Sequence, residues 1–335
     1  MILACDVGGT STRVALFEPV ADRATMVGSE TVRSAQYPSL AAIVEEFRSR
    51  HPDVLTAACF GVAGPVSEGQ CITTNLPWHV AVRQLQKVLG ASRVTLINDL
   101  VANAWGIDWL TPNDVVSLHA GLPDATGNRA VISPGTGLGE AGMICVDGRY
   151  RPFASEGGHA EFGPRSDTQF DLARYLERRF GRVSYENVLS GPGLVNIYTF
   201  LRNSARGDEP EWFAEDLKRT DPAARISEAA LNDELPICVA AMRIFLKIFG
   251  AEAGNLSLKL MATGGIWLGG GIVPKIMPLI VSTPYFMEGF TAKGKLSHIV
   301  EKIPIMPFAT SRPPCWGPLA MRFMMGSRSD RGLIG

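Results

Sequence analysis

Cysteine is scarce, and what there is stands apart. The six residues are Cys5, Cys59, Cys71, Cys145, Cys238 and Cys315. No two form a Cys-x-x-Cys pair, which excludes a zinc knuckle and a dithiol redox motif. Cys5 and Cys59 fall in apolar stretches and read as small core residues. This usage fits a reducing, cytoplasmic setting. Net charge is scarce too, at −1. Bulk electrostatics therefore favours neither nucleic acid nor an anionic membrane as a partner. No apolar run is long enough to span a bilayer. A secretory leader is not expected, because the first strand begins at Ile2 and reaches an aspartate at once. The phosphate-binding pattern G-x-x-x-x-G-K-[ST] is also missing. Glycine is abundant, at 35 of 335 residues, and the motifs lie in the glycine-rich turns.

The first of these turns is Asp6-Val7-Gly8-Gly9-Thr10. The strand Ile2–Cys5 runs into it and Arg13–Phe17 runs out, so it reads as a tight hairpin. Two adjacent glycines leave backbone N–H groups uncovered, and an anion can approach them closely. Thr10 adds a hydroxyl donor, and Asp6 brings a carboxylate that could face a cation. These are the parts of a nucleotide–magnesium site. The plain alternative is a surface hairpin.

Further along, strand-like character recurs at residues 25–31. A helix then starts at Tyr37-Pro38-Ser39, with Leu40, Ile43, Val44 and Phe47 at helical spacing. Buried strands are expected at 55–62 and 94–97. A helix lies between them at 82–89, closed by Gly90, and another follows at 100–110. Strands first and alternating helix and strand afterwards predict an α/β sheet with mixed edges. Thr111-Pro112-Asn113-Asp114 is a turn-rich boundary, and a chain of this length favours two domains. Beyond it the pattern restarts: a strand at 129–133, a glycine turn at 134–139, and a hairpin about Asp147-Gly148. The two halves suggest a duplicated architecture. Helices are expected at 170–180, 191–201 (capped by Ser190), 235–261 and 275–281. Residues 203–221 read as loop plus a short helix. A glycine-heavy strand and turn covers 265–272. A last strand at 303–308 precedes a terminal helix at 316–325 and a polar tail at 326–335.

Four further stretches offer chemistry. Gly137-Leu138-Gly139-Glu140-Ala141-Gly142 fits G-x-G-x-x-G formally. A dinucleotide reading needs a helix after the loop, and a hairpin follows here. The turn at Gly135, Thr136 and Gly137 therefore reads as a second backbone anion site or as an ordinary turn. Asn98-Asp99 stands at the carboxyl end of a strand, where ligands of α/β sheets bind. A carboxylate there can accept a hydroxyl proton; equally, Asp99 can simply cap the next helix. Glu156 and His159, in Ser155-Glu156-Gly157-Gly158-His159, suit a polyhydroxyl ligand and are expected away from both glycine turns. A lone histidine can equally be structural, and metal binding would need more ligands nearby. Glu186 could be a helix N-terminal carboxylate and nothing more.

In this order the motifs resemble the bacterial-type glucokinase family, within the sugar kinase, heat-shock chaperone and actin superfamily. The pieces are Asp6–Thr10, Thr74-Asn75-Leu76-Pro77-Trp78, Ile97–Asp99, Gly135–Gly139, Glu156–His159, Leu189-Ser190-Gly191-Pro192-Gly193-Leu194 and Gly269-Gly270-Gly271-Ile272. The resemblance implies a two-domain actin-like ATPase fold whose cleft closes on sugar. It implies a small domain at 1–110, completed by 303–325, and a large one at 111–302. It implies Asp99 as catalytic base and Asn98, Glu156, His159 and Glu186 as sugar ligands. ATP would be held by Asp6, Val7, Gly8, Gly9, Thr10, Gly135, Thr136 and Gly137. Asp6 would lie near magnesium, and Gly270 and Gly271 towards the adenosine. A zinc-dependent branch of sugar kinases and repressors carries a cysteine cluster after its Glu-x-Gly-His; none is present here, so zinc is not expected. Arg312–Gly317 departs from the Pro-Gly-Leu-Leu-Gly pattern of the family. The implied activity is ATP-dependent phosphorylation of glucose, with another hexose or an N-acetylhexosamine as the alternative substrate. A sugar-sensing regulator would need an N-terminal DNA-binding element, for which a hairpin starting at Ile2 leaves no room. A homodimer is expected from the family alone.

Overall fold

The computed structural model describes residues 1–20, 23–73 and 76–309. The described chain falls into two compact units that divide between Thr111 and Pro112.

The first unit is built on one five-stranded sheet. Strands β1 (Ile2–Val7), β2 (Ser11–Val20) and β3 (Arg23–Arg33) form an antiparallel meander. Helix α1 (Leu40–Arg50) then leads to β4 (Ala57–Val62), which pairs parallel with β1. Ser39 caps α1 by accepting from Ala42 N–H at 3.2 Å. Its Leu40, Ile43, Val44 and Phe47 are all buried, as their spacing predicts. Such side chains contribute roughly 1.5–3 kcal/mol each on burial. A small antiparallel sheet of β5 (Val66–Ser67), β6 (Gln70–Ile72) and β7 (His79–Ala81) follows. Helix α2 (Val82–Leu89) ends at Gly90, whose φ of 61° is left-handed. Strand β8 (Val94–Asn98) pairs parallel with β4 and passes directly into α3 (Asp99–Gly106). The sheet order is β3-β2-β1-β4-β8.

The second unit repeats that order. Strands β9 (Arg129–Pro134), β10 (Leu138–Val146) and β11 (Arg149–Ser155) form the meander, closed by Asp147 and Gly148 at positive φ. Helices α4 (Asp167–Phe180), α5 (Gly191–Asn203), α6 (Glu211–Arg219), α7 (Pro222–Leu231) and α8 (Pro236–Leu260) come next. Strand β12 (Gly265–Leu268) returns parallel to β9. After α9 (Val273–Ser282), α10 (Tyr285–Thr291) and α11 (Ser297–Val300), strand β13 (Ile305–Pro307) pairs parallel with β12. The order is β11-β10-β9-β12-β13. Helix α8 is buried over most of its length, and Phe245 and Phe249 belong to a core shared with α5, α7 and α10.

One expectation changes. The strand near residue 305 does not complete the first unit; it is the edge of the second sheet. Helices α7, α10 and α11 lie in stretches for which the sequence patterns offered no element. Gly289 interrupts the pattern of α10, yet it lets the backbone approach α8: an added Cβ would lie 2.2 Å from Lys247 O. The expected helix at 316–325, the tail at 326–335, the segment Arg312–Gly317, and Thr74 and Asn75 of the Thr74–Trp78 motif lie outside the described residues.

Candidate active site

In the first unit the three parallel strands end level with one another. Val7 pairs with Val62 and Val62 with Asn98. Two candidate segments share this edge. At the turn after β1, Gly8 N–H donates to Ser11 O at 3.1 Å. Ser34 pins the turn: its hydroxyl donates to Gly8 O at 2.7 Å and its N–H to Thr10 O at 3.2 Å. Among the described residues the N–H groups of Gly9 and Thr10 make no hydrogen bond. They are donors of the kind an anion needs. The Val7 side chain is buried, so only its backbone could serve a ligand. Asp6 stands opposite Arg13 in the ladder and is open to solvent. Enough protein crowds it for lost hydration to raise its carboxyl pKa, with the Arg13 charge opposing.

At the end of β8 the structure corrects the capping assignment. The cap of α3 is Asn98, not Asp99. Asn98 Oδ1 accepts from Leu100 N–H at 2.9 Å and Val101 N–H at 3.2 Å. Its oxygen is thus committed to the helix and its amide nitrogen donates to Gly64 O at 3.4 Å, so only the second amide N–H could serve a sugar. Asp99 is the first helical residue and half-buried; its Oδ1 also accepts from Leu100 N–H, at 3.0 Å. Asn98→Ala is expected to cost about 0.5–2 kcal/mol of stability through the lost cap, and Asn98→Asp far less. Thermal melting of the pair checks this; equal melting temperatures would remove the capping role.

In the second unit the candidates converge on one end of the sheet. The Gly135–Gly137 turn joins β9 to β10, with Thr136 exposed, Gly135 N–H donating to Gly137 O at 2.8 Å and Gly191 N–H donating to Gly135 O at 2.8 Å. Glu186 is not a bare helix-end carboxylate. Its Oε2 accepts from Leu138 N–H at 2.9 Å, and its own N–H donates to Gly158 O at 2.9 Å. The 3-10 turn Gly157–His159 rests on β10: an added Cβ at Gly158 would lie 2.1 Å from Leu138 O. Glu156 and His159, both exposed, therefore sit beside the Gly135–Gly137 turn, not away from it. The His159 carbonyl accepts from Arg182 Nη2. Gly269 N–H donates to Ile132 O at 2.8 Å. Gly270, at φ +82°, backs onto Pro134 O, where an added Cβ would lie at 2.3 Å. Gly271 beside it is exposed. The last glycine turn thus flanks the first on the same edge.

Comparison with known proteins decides the family. The family model for glucokinase matches residues 3–322. The chain belongs to the glucokinase family. The glucokinase of Synechocystis sp. is 39% identical over 328 residues, covering 90% of this chain and 92% of the relative. The crystal structure of glucokinase from an Antarctic psychrotroph is 30% identical, with a TM-score of 0.79 over 97% of this chain and 99% of that one. That of Balamuthia mandrillaris glucokinase in complex with glucose reaches a TM-score of 0.82 over 97% and 93%, at 22% identity, and bears on fold alone. The repeated sheet of this glucokinase-family chain is accordingly that of a two-domain actin-like ATPase fold.

No group of three metal-ligating side chains exists among the described residues. Magnesium carried on phosphates needs only one or two carboxylates, and exposed Asp6 beside the Gly8–Thr10 turn fits that requirement. The sequence reading missed Ser34, which pins that turn from 26 residues away. It also missed Glu140, an acid in core register opposite Ile132 of β9. That register was the available signal.

Proposed function

We propose that this glucokinase-family chain transfers the γ-phosphoryl group of ATP to the 6-hydroxyl of glucose. The family match over residues 3–322 carries the reading. Asp99 accepts the hydroxyl proton as the sugar oxygen attacks phosphorus in line. Glu156, His159 and Glu186 bind sugar hydroxyls, joined by the Asn98 amide. Backbone N–H groups of the Gly8–Thr10 and Gly135–Gly137 turns offset charge on the phosphoryl oxygens. Gly270 and Gly271 face the adenosine. Magnesium, held at Asp6, supplies charge neutralisation on the phosphates when bound. No described helix is long and apolar enough to cross a membrane. The scattered cysteines, with no Cys-x-x-Cys pair, and the use of ATP support a cytoplasmic setting, and the family resemblance supports a homodimer.

A coupled ADP-release assay over a panel of hexoses and N-acetylhexosamines tests the substrate. Glucose is expected to give the highest kcat/KM; preference for another sugar would replace it. In the same assay Glu156→Gln is expected to raise the glucose KM about tenfold or more, since hydrogen bonds to a charged acceptor contribute roughly 1.5–3 kcal/mol. The ATP KM should hardly move. Equal effects on both would count against a sugar role for this carboxylate.

A further inference from the structure

Under the Gly157–His159 turn lies a buried acid that the reaction does not use. Glu140 is 1% exposed. Its Oε1 has no hydrogen-bond partner among the described residues. Its Oε2 lies against Gly157, where an added Cβ would be 2.0 Å away. A second acid, Glu252 of α8, is fully buried nearby. It accepts from Asn255 Nδ2 at 2.9 Å and pairs with Lys259 at 3.3 Å. Asn255 also donates to Tyr185 Oη at 3.1 Å and accepts from Lys293 Nζ at 2.6 Å. Tyr185 N–H in turn donates to Ala160 O at 3.0 Å, and Glu186 follows it in sequence. The network therefore touches both segments that carry the sugar candidates.

We propose that Glu140 is a positioning residue for the sugar-facing turn: pressed against Gly157, it holds Glu156 and His159 in place, and it does so only while protonated. An ionised carboxylate with an orphan oxygen, buried beside a second acid, is not stable in that position. The electrostatics agree. Burial, then the charge of Glu252, push the Glu140 carboxyl up to about 8, against the opposing pull of Lys259. The groups facing this pair are Lys259, Tyr185 and Lys293. Burial, with Arg165 next, lowers Lys293 to about 8. Lys293 meets this cluster at Asn255, whose Oδ1 accepts from its Nζ at 2.6 Å.

The inference rests on the sugar-facing assignment of the turn, and the test separates the two. Glucose and ATP KM are measured from pH 6.5 to 9.5 for wild type, Glu140→Gln and Glu156→Gln. If only the protonated form is competent, the wild-type glucose KM rises about tenfold by pH 9, in inverse proportion to the competent fraction. The ATP KM stays flat. Glu140→Gln, always neutral and of the same shape, keeps a low glucose KM throughout. A Gln variant that follows the wild-type alkaline rise overturns the proposal, as does an equal rise in ATP KM. If Glu156→Gln leaves the glucose KM unchanged, the sugar-facing assignment fails instead. Melting against pH reads Glu140 without any sugar. Its carboxyl is protonated in the folded state and ionised in the unfolded state between about pH 4.5 and 8, so unfolding releases a proton there. Wild type should therefore lose melting temperature relative to Glu140→Gln across that window and level off above it. Parallel melting curves also overturn the proposal.

Discussion

Asp99→Asn is expected to lower kcat by about 10²–10⁴-fold, the usual contribution of a general base, while folding and ATP KM stay near wild type. The structure sharpens this experiment by removing its main rival. Had Asp99 been the helix cap, an unchanged kcat would have been expected, because Asn caps as well as Asp. The cap is Asn98, whose oxygen takes the N–H groups of Leu100 and Val101. Asp99 has its carboxylate at the first turn of α3, on the edge where β1, β4 and β8 end. Leu100 N–H donates to its Oδ1 at 3.0 Å, a bond that an Asn oxygen also accepts. The substitution removes proton affinity and keeps the side chain's size, and the loss should fall on kcat and kcat/KM together. Turnover and thermal melting on one preparation decide the matter. A stable variant with near wild-type turnover ends the catalytic assignment.

Local rules expose much of this fold. Ser39 and the spacing of Leu40, Ile43, Val44 and Phe47 are enough to place α1, because cap and apolar stripe are both local. Gly90 is enough to end α2. The short helices α10 and α11 are not legible, since they have too few turns to show a period. The edge strand at Ile305–Pro307 shows why topology is harder. A short apolar run declares itself a strand but not its neighbour, and the pairing with β12 is decided by tertiary packing. The candidate site divides the same way. The Gly8-Gly9 and Gly135–Gly137 turns announce themselves through glycine. What holds them does not: Ser34 reaches Gly8 across 26 residues and Glu186 reaches Leu138 across 48. Adjacent residues such as Asn98 and Asp99 can each cap a helix. Which one does depends on where the backbone first turns helical, and side-chain identity leaves that open.

Gly135→Ala is expected to raise the ATP KM by about 5- to 150-fold, with the fold intact and the glucose KM little changed. The argument begins with room. An added Cβ at Gly135 meets no described atom within 4 Å, and its φ is not in the left-handed region. The protein itself accommodates the methyl group, and the hydrogen bonds of Gly135 N–H and O are made by backbone that the substitution leaves in place. Gly158 is the opposite case: there a Cβ would strike Leu138 O at 2.1 Å, so Gly158→Ala should lower the melting temperature. The open space over Gly135 is what a phosphate approaching bare backbone requires. If the phosphates of ATP occupy it, the methyl group crowds them, and overpacking of this kind costs roughly 1–3 kcal/mol, which gives the stated range in affinity. An ordinary turn predicts no change in any kinetic constant, since nothing in the fold fills that space. Wild-type ATP KM in a Gly135→Ala variant that melts normally would therefore return the Gly135–Gly137 segment to a simple hairpin. A selective rise in ATP KM makes it the phosphate turn of the second unit.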